Sequence, residues 1–224
     1  MNTITADRFA QGMTYDEYAA FIGSPENLRR ESGPTPRASL VDFFPAAYDQ
    51  AKLTEDQEAA LKWLVAQPNG PAKMLVVSEE WSSDCRRDVP MFARIAAVTG
   101  MELRIFPRDG EKYDAPAADG DIMAGLLNQK NGGAYRSIPV CAFYTKDMEL
   151  LYQFTEYAAI YDKQRVVVEN IRAPKPGETP EQTAARADRE FGALQQSPFW
   201  RIWASAAVNE IISALHRKAV LGVV

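Results

Sequence analysis

Residues 73–90 read KMLVVSEEWSSDCRRDVP, and they predict a strand, a turn and a helix in direct succession. The apolar run from Met74 to Val77 is short and rich in β-branched residues, which is typical of a strand buried on both faces. The small polar residues that follow can cap a helix, because their side-chain oxygens accept hydrogen bonds from its free amides. Apolar residues then recur at helical spacing and form one stripe: Val89, Phe92, Ile95 and Ala96. Cys85 therefore lies in the first turn of the predicted helix.

The position of Cys85 favours a reactive thiol. The partial positive charge of a helix N-terminus lowers a thiol's pKa from its free value of about 8.5, and Arg86 and Arg87 add positive charge beside it. Because the thiolate is the attacking species, Cys85 is the best-placed nucleophile or redox group. The alternative is a buried, inert thiol, and the sequence leaves both interpretations open. Asp84 and the two arginines predict a solvated charge cluster.

The order of strand, tryptophan, motif ending in cysteine, and helix resembles the active-site segment of the thioredoxin superfamily. That superfamily usually reads Trp-Cys-x-x-Cys, whereas this chain reads Trp81-Ser82-Ser83-Asp84-Cys85. It is most similar to bacterial thioredoxin-like proteins with a Trp-Cys-x-Asp-Cys motif, and Asp84 stands in the matching place. Ser82 holds the position of the attacking cysteine, and Cys85 holds that of the resolving cysteine. The motif is thus degenerate, and dithiol cycling within it is not expected because it has one sulfur.

A second part of the resemblance lies at Ile138–Pro139, just before an apolar strand that begins at Val140. Thioredoxin-like proteins carry a cis-proline before such a strand, facing the motif, and Pro139 fits that position. The resemblance extends over about Ala59 to Tyr157. It implies Cys85 and Ser82 as catalytic residues. It also implies a substrate-binding set: Trp81, Ser83, Asp84, Ile138 and Pro139.

The rest of the chain alternates between strand and helix patterns. Short apolar runs predict further strands at about Glu102–Phe106, Val140–Tyr144 and Glu149–Phe154, the last two forming a hairpin. Helical patterns occupy Thr54–Ala66 and Asp121–Gln129. We therefore predict a thioredoxin-like α/β fold, in which a mixed β-sheet is flanked by helices and carries helical N- and C-terminal extensions.

These patterns also divide the chain. Residues 1–52 form an N-terminal extension, residues 53–157 the thioredoxin-like core, and residues 158–224 a C-terminal helical extension. The last helix of the chain carries an apolar stripe, and we expect this stripe to pack on the core or on a neighbouring helix. Its members are Phe199, Trp200, Trp203, Ala207, Ile211 and Leu215.

Composition restricts the function classes. A net charge of −5 over 224 residues disfavours nucleic acid and anionic membranes as partners. No apolar run approaches the ~20 residues of a membrane helix, and the N-terminus does not read as a signal peptide. Cys85 and Cys141 are far apart in sequence, so both are expected to be thiols in a reducing cytoplasm. With one histidine, they supply no metal-ligand pattern, and no metal is predicted.

Three functional interpretations remain. The leading one is a degenerate cytoplasmic thioredoxin-like protein with a thiol-dependent redox or thiol- or peptide-binding role, whose partner is a protein or a small-molecule thiol. The second resembles glutathione transferases, with the Ser82 hydroxyl donating to a bound small thiol such as glutathione; no other cofactor is expected. The alternative role of Ser82 is a helix cap. The third is a non-catalytic interaction module that uses the groove around Trp81 and Pro139. Arg108 and Asp109 are expected near this groove.

Overall fold

The computed structural model describes residues 4–30, 38–108 and 122–222, and within them a four-stranded sheet has the order β2-β1-β5-β6. The strands are β1 (Lys73–Val77), β2 (Glu102–Phe106), β3 (Asn128–Lys130), β4 (Gly133–Tyr135), β5 (Val140–Tyr144) and β6 (Leu150–Thr155). Strand β1 pairs in parallel with β2 and antiparallel with β5, and β5 pairs antiparallel with β6. The sheet is therefore mixed, as the sequence predicts.

Helices cover the sheet and extend the chain at both ends. They are α1 (Ala6–Ala10), α2 (Tyr15–Phe21), α3 (Pro25–Arg29), α4 (Phe43–Gln50), α5 (Glu55–Val65), α6 (Ser83–Thr99), α7 (Ala159–Arg172), α8 (Pro180–Gln195) and α9 (Pro198–Ala219). Capping boxes open three of them, with Thr14, Thr54 and Thr179 at the N-cap. In each box the threonine hydroxyl and the side chain three residues later satisfy backbone N–H groups reciprocally.

The two central strands explain the apolar runs that the sequence shows. Met74 to Val77 of β1 and all of β5 are buried, so both faces of these strands are covered. Cys141 lies within β5 and is buried, as its place in the sheet predicts. Helix α6 joins the parallel strands β1 and β2, and its left-handed C-cap is Gly100 at φ 76°, a conformation that glycine adopts without steric cost.

The N-terminal segment completes one edge of the sheet. Met13 and Ile105 exchange backbone hydrogen bonds of 2.9 and 2.7 Å, which covers part of the β2 edge. Tyr18 of α2 is buried, and its hydroxyl lies 2.9 Å from the hydroxyl of Ser78 at the end of β1. The extension is therefore part of the same core as the sheet.

The C-terminal helices pack on the other side of the molecule. Along α9, Trp200, Trp203, Ala207, Ile211 and Leu215 are buried, which confirms the predicted packing of the stripe. Phe199 differs, because 58% of its surface is exposed. Gln57 of α5 fixes α9 in place: its amide donates to the Ser205 carbonyl, the Ser205 hydroxyl and Asn209 Oδ1.

The predicted helix over Asp121–Gln129 is wrong. Met123–Gly125 form a 3-10 helix, and Asn128–Lys130 are strand β3 of a small hairpin with β4; Asp121 lies outside the described residues. Asn131 and Gly132 join the two strands with φ values of 53° and 75°. Two positive φ angles in a two-residue loop are the geometry of a tight hairpin turn, which Asn-Gly strongly favours.

Candidate functional site

The site residues that the sequence singles out meet at one edge of the sheet. Val77, the last residue of β1, pairs with Val140, the first residue of β5. The motif turn (Trp81–Cys85) follows β1, and the proline loop (Ser137–Pro139) precedes β5, so both start from the same edge. The peptide bond between Ile138 and Pro139 is cis.

The motif turn presents four partly exposed side chains, those of Trp81, Ser82, Ser83 and Asp84. Ser82 is the N-cap of α6, and its Oγ accepts a hydrogen bond of 3.4 Å from the backbone N–H of Cys85. The Ser82 hydroxyl therefore caps α6, as one of its two predicted roles requires. Across the edge, Ile138 and Pro139 of the proline loop are buried. The partly exposed turn and the buried loop therefore start from neighbouring strand ends, at the paired residues Val77 and Val140.

Cys85 lies in the first turn of α6 and is 0% exposed. Burial raises the pKa of its thiol to about 12, although the Ser78 hydroxyl, the Glu79 backbone and the Ser82 hydroxyl each act to lower it. The expected lowering of this pKa is wrong, because loss of solvation outweighs the field of the helix N-terminus. The thiol is therefore protonated at neutral pH.

The enclosure of Cys85 depends on a residue far away in the sequence. Tyr18 of the N-terminal extension contacts Ser78, which itself hydrogen-bonds with the thiol. Burial also raises the pKa of Tyr18 well above its usual value, and the nearby Cys85 raises it further. Thiol, serine and phenol thus form one buried, uncharged polar group.

The Arg86 side chain serves the backbone of the motif turn. Its Nη1 donates to the carbonyls of Glu80 (3.1 Å) and Trp81 (2.9 Å), and its other nitrogens reach Gln195 Oε1 on α8. The guanidinium also lies over the ring of Phe43 at 5.7 Å. Arg86 therefore fixes the turn to the C-terminal helices.

Arg87 forms a buried charge cluster with Asp84 and Asp88. Its guanidinium donates to Asp84 Oδ1 (2.8 Å) and, through two nitrogens, to Asp88 Oδ1 (2.9 Å) and Oδ2 (2.6 Å). The side chains of Arg87 and Asp88 are each 1% exposed, so the expected solvated cluster is wrong. The rings of Tyr161 and Trp200 lie 5.3 Å from the guanidinium carbon. Aromatic faces and two carboxylates thus replace its water shell.

Burial and pairing act against each other in this Arg87 cluster. Burial raises the pKa of Asp88 to about 6, even though the neighbouring Arg87 charge lowers it. Burial also raises the pKa of Asp84, again against the effect of Arg87. For Arg87, burial by itself lowers the pKa, but the two carboxylates outweigh it and raise the pKa above its usual value. The arginine is therefore charged at every accessible pH.

A second polar group borders the proline loop. The backbone N–H of Glu156 donates to the Pro139 carbonyl (2.8 Å), and its Oε2 accepts from Lys130 (2.8 Å) and Asn128 (3.3 Å). Asn128 also donates to the hydroxyl of Ser137. Because Arg87 reaches the Glu156 carbonyl at 3.4 Å, this group connects the proline loop to α6.

Two buried carboxylates, Glu79 and Glu80, lie between β1 and the motif turn. Glu79 Oε1 accepts from Arg30 (2.9 Å) and from the backbone N–H of Arg108 (2.8 Å). The Arg108 guanidinium lies 5.5 Å from the centre of the Trp81 ring, which confirms its expected place near the motif. Asp109 lies outside the described residues. Nε1 of Trp81 is buried and bonds to no acceptor among the described residues.

The sequence reasoning missed the buried charges. Asp88 lies three residues before the apolar Met91 and four before Phe92, so it falls on the buried stripe of α6. A charge on such a stripe indicates a buried ion pair, and the adjacent Arg87 is the expected partner of Asp88. Glu79 and Glu80 directly follow a fully buried strand, which is the corresponding signal for them. Glu156 lies opposite Pro139 because it continues the antiparallel register of the β5–β6 hairpin, in which Val140 pairs with Thr155, so the predicted hairpin is the signal for it.

The described residues hold neither a metal-ligand group nor a membrane-spanning helix. They contain no group of three or more His, Cys, Asp or Glu side chains that could hold a metal ion. None of their helices has both the length and the apolar character needed to cross a bilayer. Both cysteines are free thiols.

The architecture is that of a thioredoxin-like protein. The sequence model of a family described as thioredoxin matches residues 43–170, which is more than half of the chain, and the protein belongs to that family. No curated protein matches the chain.

Two solved structures share the fold. One is a protein of unknown function from Pseudomonas aeruginosa, determined at 1.5 Å, with a TM-score of 0.58 and 14% identity, covering 98% of this chain and 100% of that one. The other is an HIV epitope scaffold with a TM-score of 0.54 and 13% identity, covering 94% of this chain and 96% of that one. At these identities the likeness shows the fold alone.

Proposed function

We propose that this thioredoxin-like protein binds an extended segment of a partner protein in the groove between the motif turn and the proline loop, without dithiol redox chemistry. The observation that carries the proposal is the state of the motif. Cys85 is fully buried with a pKa of about 12, and the hydroxyl of Ser82 caps α6. A protonated, enclosed thiol is a poor nucleophile, because only the thiolate attacks.

The groove retains the features that bind a peptide backbone. Trp81, Ser83 and Asp84 stay partly exposed along one side. On the other side, the backbone N–H and C=O of Ile138 take part in none of the described hydrogen bonds. An extended chain can pair with such free backbone groups, as in strand addition, while side chains on the rim give selectivity.

The net charge and the two thiols support the choice of partner and of cellular compartment. Net charge is −5, which favours a protein segment over nucleic acid or an anionic membrane as the ligand. Two free, buried thiols fit a reducing compartment, and we place the protein in the cytoplasm. A small thiol such as glutathione is the competing ligand for the Ser82 hydroxyl, and calorimetry with glutathione separates the two.

The redox half of the proposal is tested by turnover of a disulfide substrate. Wild type is expected to show none without an added thiol, because attack at one sulfur leaves the enzyme tethered until a second thiol resolves it. Ser82→Cys supplies that second thiol at the position of the attacking cysteine and is the matched gain-of-function variant. Robust wild-type turnover that is lost in Cys85→Ser would overturn the proposal.

The binding half is tested by selecting peptides from a displayed random library on the wild-type protein. Selected peptides are expected to bind Trp81→Ala at least about tenfold more weakly, since aromatic anchors commonly contribute 2 kcal/mol or more. Trp63→Ala is the matched control, because Trp63 is an exposed tryptophan on α5, outside the groove. Circular dichroism checks that both variants fold. Peptides that bind wild type and Trp81→Ala equally would contradict a ligand in this groove.

A further inference from the structure

A cavity lies between α4, α6 and the start of α9. Its volume is about 930 Å³, which is in the range of small-molecule sites. Its apolar lining comes from Phe43, Met91, Trp200 and Ile202. All the lining residues belong to the described part of the chain, and the cavity is separate from the groove at the proline loop.

The charges around this cavity are unbalanced. Four cations line it, Lys52, Arg86, Arg87 and Arg201, against the single carboxylate of Asp42. Arg87 is neutralised by Asp84 and Asp88. In the described structure, the other three cations make no ion pair with a carboxylate. Three positive charges line this partly apolar cavity, two of them on the exposed residues Lys52 and Arg201, and together they favour an anion that carries an apolar body.

Two further features fit such a ligand. Nε1 of Trp200, a residue that lines the cavity and is 5% exposed, is buried and bonds to no acceptor in the described structure. Buried donors are nearly always satisfied, so an unused one next to a cavity fits a ligand oxygen. Ile202, which also lines the cavity, keeps 51% of its surface exposed. Exposed apolar side chains beside a cavity mark surface that a ligand can cover.

We infer that this cavity binds a small amphipathic carboxylate, with the carboxylate held by Lys52, Arg86 and Arg201 and the apolar body against Phe43, Met91 and Ile202. Arg86 is already fixed by two carbonyls of the motif turn and by Gln195, so its position requires no ordering when the ligand binds. The same contacts place one wall of the cavity directly against the motif turn.

Calorimetric titration with decanoate, decanol and inorganic phosphate tests the inference. Decanoate is used below the concentration at which it forms micelles. Decanoate is expected to bind one to one, decanol at least about tenfold more weakly, and phosphate not detectably, because the site needs both charge and apolar area. Equal affinity for decanoate and decanol, or no decanoate binding in the millimolar range, would overturn it.

Two pairs of variants locate the binding. Lys52→Gln with Arg201→Gln is expected to weaken decanoate binding about fivefold, whereas Lys146→Gln with Arg217→Gln, which removes the same charge elsewhere, leaves it unchanged. Ala46→Trp places a large side chain at the exposed cavity wall and is expected to abolish binding. Ala185→Trp, on α8 outside the cavity, is its control. Unchanged affinity in Ala46→Trp would place the ligand elsewhere and refute the assignment.

Discussion

In the first two turns of α6, the buried Cys85 and the buried Arg87 accommodate burial in opposite ways. Cys85 stays neutral: its pKa is raised to about 12, and its neighbours are a hydroxyl, a backbone amide and the N-cap serine. Two residues later, Arg87 stays charged, with five hydrogen bonds or ring contacts to Asp84, Asp88, Tyr161 and Trp200. A thiol can lose its charge at little cost near neutral pH, whereas a guanidinium cannot, so it must be paired.

This contrast distinguishes two sides of the helix, one with a neutral, enclosed thiol and the other with a paired charge that acts as a rigid support. The groove side presents a protonated thiol beneath partly exposed polar residues. The cluster side ties α6 to Glu156 and to the aromatic residues of α7 and α9. Each of the following substitutions alters either the Cys85 side or the Arg87 side of α6.

The largest expected effect comes from breaking the charge cluster. Arg87→Met should lower the free energy of unfolding by about 3–5 kcal/mol, because the buried carboxylate of Asp88 would lose its partner and the partly exposed Asp84 would lose its ion pair. Urea denaturation at pH 7 measures this. Arg165→Met is the control, since Arg165 forms an exposed pair with Glu169, and we expect a loss under about 0.5 kcal/mol there. Equal losses in the two variants would contradict the buried pairing.

The thiol side predicts a pH dependence with a definite sign. The folded state holds the Cys85 proton up to about pH 12, whereas an unfolded thiol loses it near pH 9, so the unfolded state binds fewer protons in this window. Wild-type stability should therefore fall, relative to Cys85→Ala, by at most about 1.4 kcal/mol for each pH unit above 9.

Denaturant unfolding of wild type and Cys85→Ala between pH 8 and roughly pH 10.5 measures this difference in the free energy of unfolding. The thiol of the unfolded chain ionises within this pH range. Val89→Ala serves as the reference, because it also shortens a buried side chain of α6 but carries no titrating group. Its stability difference from wild type should stay constant with pH. A constant difference for Cys85→Ala as well would mean that the thiol is not protected from ionisation.

A smaller effect is expected at the helix cap. Ser82→Ala should lower the free energy of unfolding by about 1 kcal/mol, because the N–H of Cys85 loses its acceptor, and Ser82→Gly should cost only a few tenths. Ser82→Asn, which retains an acceptor, should restore most of the loss. Urea denaturation of the three variants measures the order, and an unaffected Ser82→Ala would show that the cap is not stabilising.

The sequence was sufficient for most of the sheet because its signals there are local. The apolar run of β1 and the threonine caps each predict their element without reference to the rest of the chain. The helix predicted over Asp121–Gln129 failed because Ile122, Leu126 and Leu127 fit a helical stripe, while the stronger signal was Asn131-Gly132, a two-residue hairpin loop.

The positions of the motif turn and the proline loop in the fold could be predicted from the sequence, but the electrostatics around Cys85 could not. The fold brings Tyr18, sixty residues before Ser78, over the end of β1, and this contact encloses the thiol. Helix position alone indicates a lowered pKa for Cys85, and only the tertiary packing reveals the larger opposing effect of burial. The same limit applies to Arg87, whose aromatic neighbours come from α7 and α9.

The central claim, that Cys85 is an enclosed and protonated thiol, is tested most directly by its reaction with Ellman's reagent in the native protein at pH 8. Cys141→Ala leaves Cys85 as the single thiol, and adding Ser83→Cys to that variant supplies a partly exposed thiol as the positive control. The account predicts fast labelling of the control and, for Cys85, labelling only at the rate of unfolding, independent of reagent concentration. Labelling of Cys85 within minutes, at a rate that rises with reagent concentration, would contradict the account.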